Sequence, residues 1–353
     1  MMNDFPPETM PEVHYDDVSI LEICDTLEKK QNVLIISHVN PDGDTIGSAF
    51  ALKAIVQALG NQARCVCSQE PAKRLRFLYI DQDDCTYNGD VEDYDLVFSV
   101  DVASPGQLGE LDCLLPHINF MIDHHGMREP FAPKYVDEKA SAAGEIVFSI
   151  YRELKNRGSI LTVPDAARRI YAAIVSDTGS FKFSNTTPYT HRVAAELVSE
   201  INGADDKKGD TADVCRSLFG PRTLNVLTAQ MLAIQNLRFY SNGELGAVLF
   251  TQQMLADAGL TEDEIGNVVD TPRGVEGVLV GISLKQSQAD PCTYKVSSRA
   301  NVECDVSAVC AKFGGGGHVR AAGCTITADS PEEALEIASA AFLKAIEIYK
   351  SQR

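Results

Sequence analysis

Three short, mostly apolar runs in the first part of the chain each end in a side chain that is costly to bury. "NVLIIS" (32–37) leads into His38, "DLVFSV" (95–100) into Asp101, and "INFMI" (118–122) into Asp123, His124 and His125. Near-continuous apolar runs of this length read as strands buried on both faces, the pattern of a parallel sheet covered by helices. Ligands of open parallel sheets bind beyond the carboxyl ends of the strands. The pattern therefore predicts one crevice that collects carboxylates and imidazoles from three strand ends.

Helical periodicity fills the intervals. "TIGSAFALKAIVQALG" (45–60), "SAAGEIVFSIYRELKNRG" (141–158), "PDAARRIYAAIVSD" (164–177) and "THRVAAELVSEI" (190–201) carry apolar residues three and four apart. Periodicity is lost around "NGADDKKGD", which reads as a linker. A helical segment over about 212–236 follows, then strand-like "GELGAVLF", "GVEGVLVGISLK" and "TYKVSSRA". "VSAVCAKF" reads as a helix running into "GGGGH" (314–318), and a last helix starts at a capping box of Ser330 and Glu333. The fold class expected is α/β: an N-terminal doubly wound, mostly parallel sheet and a smaller C-terminal α/β domain across a cleft. The expected boundaries are a flexible leader over 1–20, a catalytic domain over 21–201, a linker over 202–211 and a second domain over 212–353.

Composition narrows the function classes. The net charge of −19 opposes binding of long duplex nucleic acid, which needs a basic footprint, but leaves room for a short anion met by metal ions or a local basic pocket. No apolar run is long enough for a transmembrane helix, so no membrane partner is expected. The acidic, proline-bearing N-terminus does not read as a signal peptide, and none of the ten cysteines forms a C-x-x-C pair. A reduced, cytoplasmic protein is expected. The oligomeric state stays open, a homodimer included.

The residue types at the strand ends suit a metal centre. "HVNPDGD" places His38, Asp42 and Asp44 in a tight loop shaped by Pro41 and Gly43, and Asp177 closes a helical run. Two divalent ions need about six to eight ligand positions, some shared by a bridging carboxylate. Imidazole in the set tilts the choice from magnesium towards manganese, cobalt or iron.

Together "SHVNPDGDTIGS", "SVDVA", "IDHH" and "VSDTGSF" resemble the four motifs of the DHH phosphoesterase superfamily, and "FGGGGHVRAAGC" (313–324) resembles the glycine-rich signature of its DHHA-type C-terminal domain. The two-domain form is most similar to the NrnA group of nanoRNases. The resemblance implies two divalent ions, manganese first, with magnesium or cobalt as alternatives. One would be held by His38, Asp42 and Asp101, the other by Asp44, Asp101, His124 and Asp177, with Asp101 bridging. It also implies that His125 faces the scissile phosphate, that Asp123 orients the histidines, and that Asn40 supports the loop. Arg299, Gly315, Gly316, Gly317, His318 and Arg320 would grip the terminal nucleotide. "SAAGEIV" stands where relatives often carry a Ser-Thr pair, so the supporting hydrogen bonds there are open.

The activity implied is hydrolysis of very short single-stranded oligonucleotides to mononucleotides, with phosphatase action on 3′-phosphoadenosine 5′-phosphate (pAp). The alternatives are a hydrolase of linear di-adenylate (pApA), an inorganic pyrophosphatase and a non-catalytic nucleotide-binding module.

Overall fold

The structure, a computed structural model, describes residues 16–81, 85, 87, 91–126, 130–204, 209–220, 223–265 and 268–352, with only the backbone described at Asp263 and His318. The chain divides into two compact units, Met1–Pro221 and Arg222–Arg353. Most of the expected leader lies outside the described residues.

In the first unit, α1 (Ile20–Leu27) precedes β1 (Asn32–Ile36), α2 (Gly43–Ala58), β2 (Gln62–Val66), β3 (Leu96–Val100), β4 (Phe120–Asp123), β5 (Lys134–Val136), α3 (Ala143–Asn156), α4 (Pro164–Asp177), α5 (Pro188–Asn202) and α6 (Thr211–Phe219). The strands form a five-stranded, wholly parallel sheet in the order β2-β1-β3-β4-β5. Successive strand side chains point to opposite faces, which sorts the core. Val33, Ile35, Phe98, Val100 and Ile122 pack with the helices. Leu34, Ile36, Val97 and Met121 pack on the other face against a 3₁₀ segment, Pro105–His117, through Leu108, Leu111 and Leu114.

Strand order reverses direction between β1 and β3, the switch point at which a crevice opens. Small residues bring the helices over it together. A Cβ at Gly47 of α2 would lie 2.7 Å from the Arg169 carbonyl oxygen of α4. A side chain there would part the two helices that carry Asp44 and Asp177.

The second unit runs α7 (Leu224–Gln235), β6 (Arg238–Tyr240), β7 (Leu245–Phe250), α8 (Gln252–Asp257), α9 (Asp270–Arg273), β8 (Val280–Gln286), β9 (Thr293–Ala300), α10 (Val306–Ala311), β10 (Gly316–His318), β11 (Ala321–Thr327) and α11 (Pro331–Ser351). Its six-stranded sheet, β10-β11-β9-β8-β7-β6, is antiparallel except where β7 and β8 run parallel. Leu245, Ala247 and Leu249 pack with α11, whereas Val248 and Phe250 pack with α7.

Several elements differ from the sequence expectation. The helical segment expected over 212–236 is two helices, and the first belongs elsewhere: Val214 and Leu218 of α6 are buried in the core of the first unit. Ser19 caps α1 and Asp17 bridges to Lys134, so structure begins inside the leader expected over 1–20. Glu333 does not close the capping box on Ser330, because its carboxylate accepts from the Asp329 amide at 2.8 Å. Among the described residues no helix is long and apolar enough to cross a membrane.

Candidate metal centre

Each of the three strands at the switch point delivers side chains at its carboxyl end. Beyond β1, Nδ1 of His38 donates to the Val39 carbonyl, which leaves Nε2 directed at Asp101 Oδ2, 3.6 Å away. Asp42 caps α2: its Oδ1 accepts from the amides of Asp44 at 2.9 Å and Thr45 at 3.1 Å. Asp101 follows β3 in a left-handed backbone conformation, φ 62°. Asp123 ends β4, with His124 and His125 directly after it, and Asp177 ends α4.

These side chains form three groups whose ligand atoms lie within 4.8 Å of one another: His38, Asp42 and Asp101; Asp44, His124 and Asp177; Asp101, His124 and His125. Asp101 Oδ1 is buried and has no hydrogen-bond partner, yet His124 Nε2 and His125 Nδ1 both stand 3.6 Å from it. That spacing is too long for hydrogen bonds; it suits Asp101 and His124 as donors to a shared cation, while His125 Nδ1 gives its proton to Asp123. The charge balance points the same way. Burial, then the charges of Asp101, Asp177 and Asp42, hold the Asp44 carboxyl well above the usual carboxylate range. Asp177 is pushed up to about 6, by burial first and by Asp42 and Asp101, against the pull of His124. Burial also works to raise Asp101, but His38, His124 and His125 outweigh it and leave its carboxyl below the ordinary value. Crowded buried carboxylates interleaved with imidazoles are a donor set that fits divalent metal.

Asp123 is fully buried and organises the pair of histidines. Its Oδ1 accepts from the His124 amide at 2.7 Å, the His125 amide at 3.2 Å and His125 Nδ1 at 2.7 Å. This hydrogen bond and the nearby carboxylates push the His125 imidazole up to about 9, against the effect of its burial. Asn40, expected to support the loop, adopts a left-handed conformation, φ 53°, and its amide donates to Gln69 Oε1 at 3.2 Å.

Four supports were not read from the sequence. Thr45 Oγ1 lies 2.5 Å from both His38 Nε2 and Asp101 Oδ2. Ser48 Oγ donates to Asp44 Oδ1 at 2.9 Å. The amides of Ala143 and Gly144, at the start of α3, donate to Asp44 at 2.8 and 3.1 Å. Thus the "SAAGEIV" segment supplies its hydrogen bonds from backbone. Asn185 donates to Asp177 Oδ2 at 3.1 Å. The usable signal was position alone, one helical turn from a ligand for Ser48 and at a helix N-terminus for the amides.

The remaining expected residues gather in the second unit. Gly316, Gly317 and His318 form β10, paired antiparallel with β11, and Ala321 of β11 lies opposite Arg299 of β9. The His318 side chain lies outside the described residues. Gly315 and Gly317 are packed tightly on β11: Cβ atoms there would lie 2.1 Å from the Gly323 carbonyl and 2.5 Å from the Ala321 carbonyl. A Cβ at Gly316 would meet only open space. The Arg320 guanidinium reaches Glu303 at 3.4 Å and the Ala300 and Asn301 carbonyls, and Arg299 donates to the Ser298 carbonyl at 2.9 Å.

Comparison with known proteins agrees with this architecture. The family model described as "DHH family, N-terminal domain" matches residues 32–174, and that of the DHHA1 domain matches 246–344. The bifunctional oligoribonuclease and PAP phosphatase NrnA of Thermus thermophilus is 32% identical over 86% of this chain and 87% of its own length. The Bacillus subtilis protein of the same name is 28% identical over 86% of this chain and 92% of its own length. The fold matches that of an exopolyphosphatase-related protein from Bacteroides fragilis with a TM-score of 0.83 and 21% identity, covering 94% of this chain and 97% of that one. A chain that sets these His and Asp residues at the strand ends of a DHH domain, ahead of a DHHA1 domain, and is 32% identical to such a relative over 86% of its length belongs to the two-domain DHH–DHHA1 family of phosphoesterases.

Proposed function

We propose that the chain is a metal-dependent phosphohydrolase that cuts very short oligonucleotides to mononucleotides and converts pAp to AMP and orthophosphate. The observation that carries this reading is the pair of triads, His38–Asp42–Asp101 and Asp44–His124–Asp177, which share no member yet approach through Asp101 and His124 at 3.6 Å. The names of the Thermus and Bacillus relatives support the substrate class.

Two divalent ions, manganese by the mixed carboxylate and imidazole donors, would be held by these triads, with Asp101 serving both. When bound, they supply Lewis acidity towards a phosphoryl oxygen and an acidified water. The residues around them do the rest. Thr45 and Ser48 fix the carboxylates of Asp101 and Asp44 through hydroxyl donors. Asp123 holds His125 by Nδ1 and favours its charged form, so His125 stabilises negative charge on the phosphoryl group and carries the proton that the departing 3′-oxygen takes up. Arg299, Arg320, Gly315, Gly316, Gly317 and His318 are assigned to the terminal nucleotide. In each cut one water is consumed: its oxygen joins phosphorus and the bond to the neighbouring 3′-oxygen breaks.

The test is a manganese-dependent time course on labelled RNAs of increasing length, pAp, pApA and pyrophosphate. The expected result is mononucleotides from the shortest RNAs and orthophosphate from pAp, both abolished by chelation. Turnover of pApA alone would move the protein to dinucleotide signalling, and turnover of pyrophosphate alone would overturn the nucleotide reading.

A further inference from the structure

A second concave site lies in the first unit at the carboxyl end of β2, one loop away from the metal centre. It encloses about 880 Å³, within the range of small-molecule sites. Its wall is tied to the loop that follows β1: Gln69 accepts the Asn40 amide, two residues beyond His38. Gly109 fits between Val39 and Ser68, where a Cβ would lie 2.5 Å from Val39 Cγ1 and 2.7 Å from Ser68 Oγ.

Among the described residues the lining carries three carboxylates, Glu70, Asp81 and Glu110, against one cation, Arg76. Glu70 pairs with Arg76, and Asp81 pairs at 2.6 Å with Lys53, an almost fully buried ammonium. A phosphate is repelled by an acidic wall whose cation, Arg76, already holds Glu70. Two hydroxyls of the lining, Ser68 Oγ and Tyr79 Oη, are buried without a full-strength hydrogen-bond partner among the described residues; the Cys85 thiol stands beside Tyr79. Buried hydroxyls of this kind are expensive unless a ligand or water completes them. The Tyr79 ring is itself immobilised by stacking on Phe50, with centroids 5.0 Å apart and planes 6° from parallel. The occupant this chemistry fits is uncharged, rich in donors and acceptors, and joined to a phosphate that stays outside.

We propose that this pocket is a nucleoside subsite: it takes the base and ribose of the second nucleotide of a dinucleotide while the bridging phosphate lies at the Asp and His cluster. The inference rests on the proposed function, in which the terminal nucleotide is held by the second unit. It assigns to the first unit the contacts that separate a dinucleotide from pAp, which has one nucleoside.

Two variants and two readouts test it. Ser68→Trp fills the pocket, and Tyr79→Phe removes one hydroxyl while keeping the stacked ring. With manganese, the ratio of kcat/KM for pApA to that for pAp should fall at least tenfold in Ser68→Trp and about threefold in Tyr79→Phe. Titration calorimetry of the metal-free protein with adenosine should show one site fewer in Ser68→Trp than in wild type, the remaining one being that of the second unit. An unchanged ratio with unchanged adenosine binding overturns the subsite. So does an equal fall for both substrates accompanied by weaker manganese binding, since the effect would then pass through the His38 loop. Should Ser68→Trp fail to fold, an unchanged ratio in Tyr79→Phe overturns it alone. Wild-type protein that turns over neither pApA nor pAp, yet binds adenosine at a site that Ser68→Trp removes, would sink the proposed function and leave the subsite standing.

Discussion

Asp101 is held where a non-glycine residue is uncommon, at φ 62°, with one carboxylate oxygen buried and unbonded. Such strain, of order 1–3 kcal/mol, persists where surrounding structure and function demand it. Asp101→Ala should lower manganese-dependent turnover by at least about a hundredfold, with the far-UV circular dichroism unchanged; near-normal turnover would refute a shared carboxylate. The crowding of charge falls elsewhere, on Asp44 and Asp177, because three imidazoles compensate Asp101. Asp177 titrates near 6 in the folded, metal-free protein instead of its ordinary 3.8, so the folded state binds the extra proton. Stability from this group is therefore lost as pH rises through 4 to 6, and the deficit is complete above 6. Metal-free Asp177→Asn should be more stable than wild type at pH 7, by up to about 3 kcal/mol, and should lose that advantage near pH 3.5. Urea melts at both pH values check this, and an equal difference at both would count against it. The ligands themselves were legible because burying an Asp or a His is costly without a purpose. Thr45, Asn185 and the Ala143 and Gly144 amides were not, since hydroxyls and backbone donors are everywhere and only geometry selects them.

At the scale of elements, the metal centre depends on how closely α2 approaches α4. Gly47→Ala places a methyl 2.7 Å from the Arg169 carbonyl, and overpacking of this kind costs about 1–3 kcal/mol. It should also weaken manganese binding, because it moves Asp44 relative to Asp177. A urea midpoint and a manganese affinity both equal to wild type would show that the helices adjust freely. The glycine cluster divides in the same way. Gly315→Ala should destabilise the second unit, whereas Gly316→Ala should leave its unfolding unchanged, because only the former meets backbone. Long helices with apolar spacing were legible to within about two residues at most ends, as α2 and α4 illustrate. β2 and β5 were not: they are edge strands, β2 is buried only over its last two residues and β5 is half-buried throughout, so neither carries the unbroken apolar run of β1 or β3. The break between α6 and α7 is legible in the Gly220-Pro221 dipeptide and escaped because helical spacing on either side of it reads as one segment; the two helices bury their apolar faces in different cores.

The whole molecule is two cores with different relations to metal. Every member of the three metal-ligand groups lies in the first unit, whereas the second unit is held by its own apolar clusters behind a mixed sheet. A ligand that binds only the folded state stabilises it by about 2.7 kcal/mol at a hundredfold excess over its Kd. That stabilisation belongs to the unit that binds. Relief of carboxylate crowding around Asp44 and Asp177 adds to it at neutral pH, since divalent cations reverse the sign of the local repulsion. Scanning calorimetry of the chelated protein should therefore resolve two transitions, and manganese should raise one while leaving the other within about a degree. In Asp101→Ala the shift should shrink or vanish while both transitions remain. Equal shifts of both transitions would place metal binding in the second unit as well. One cooperative transition in every condition would mean that the two cores unfold together, despite their separate packing.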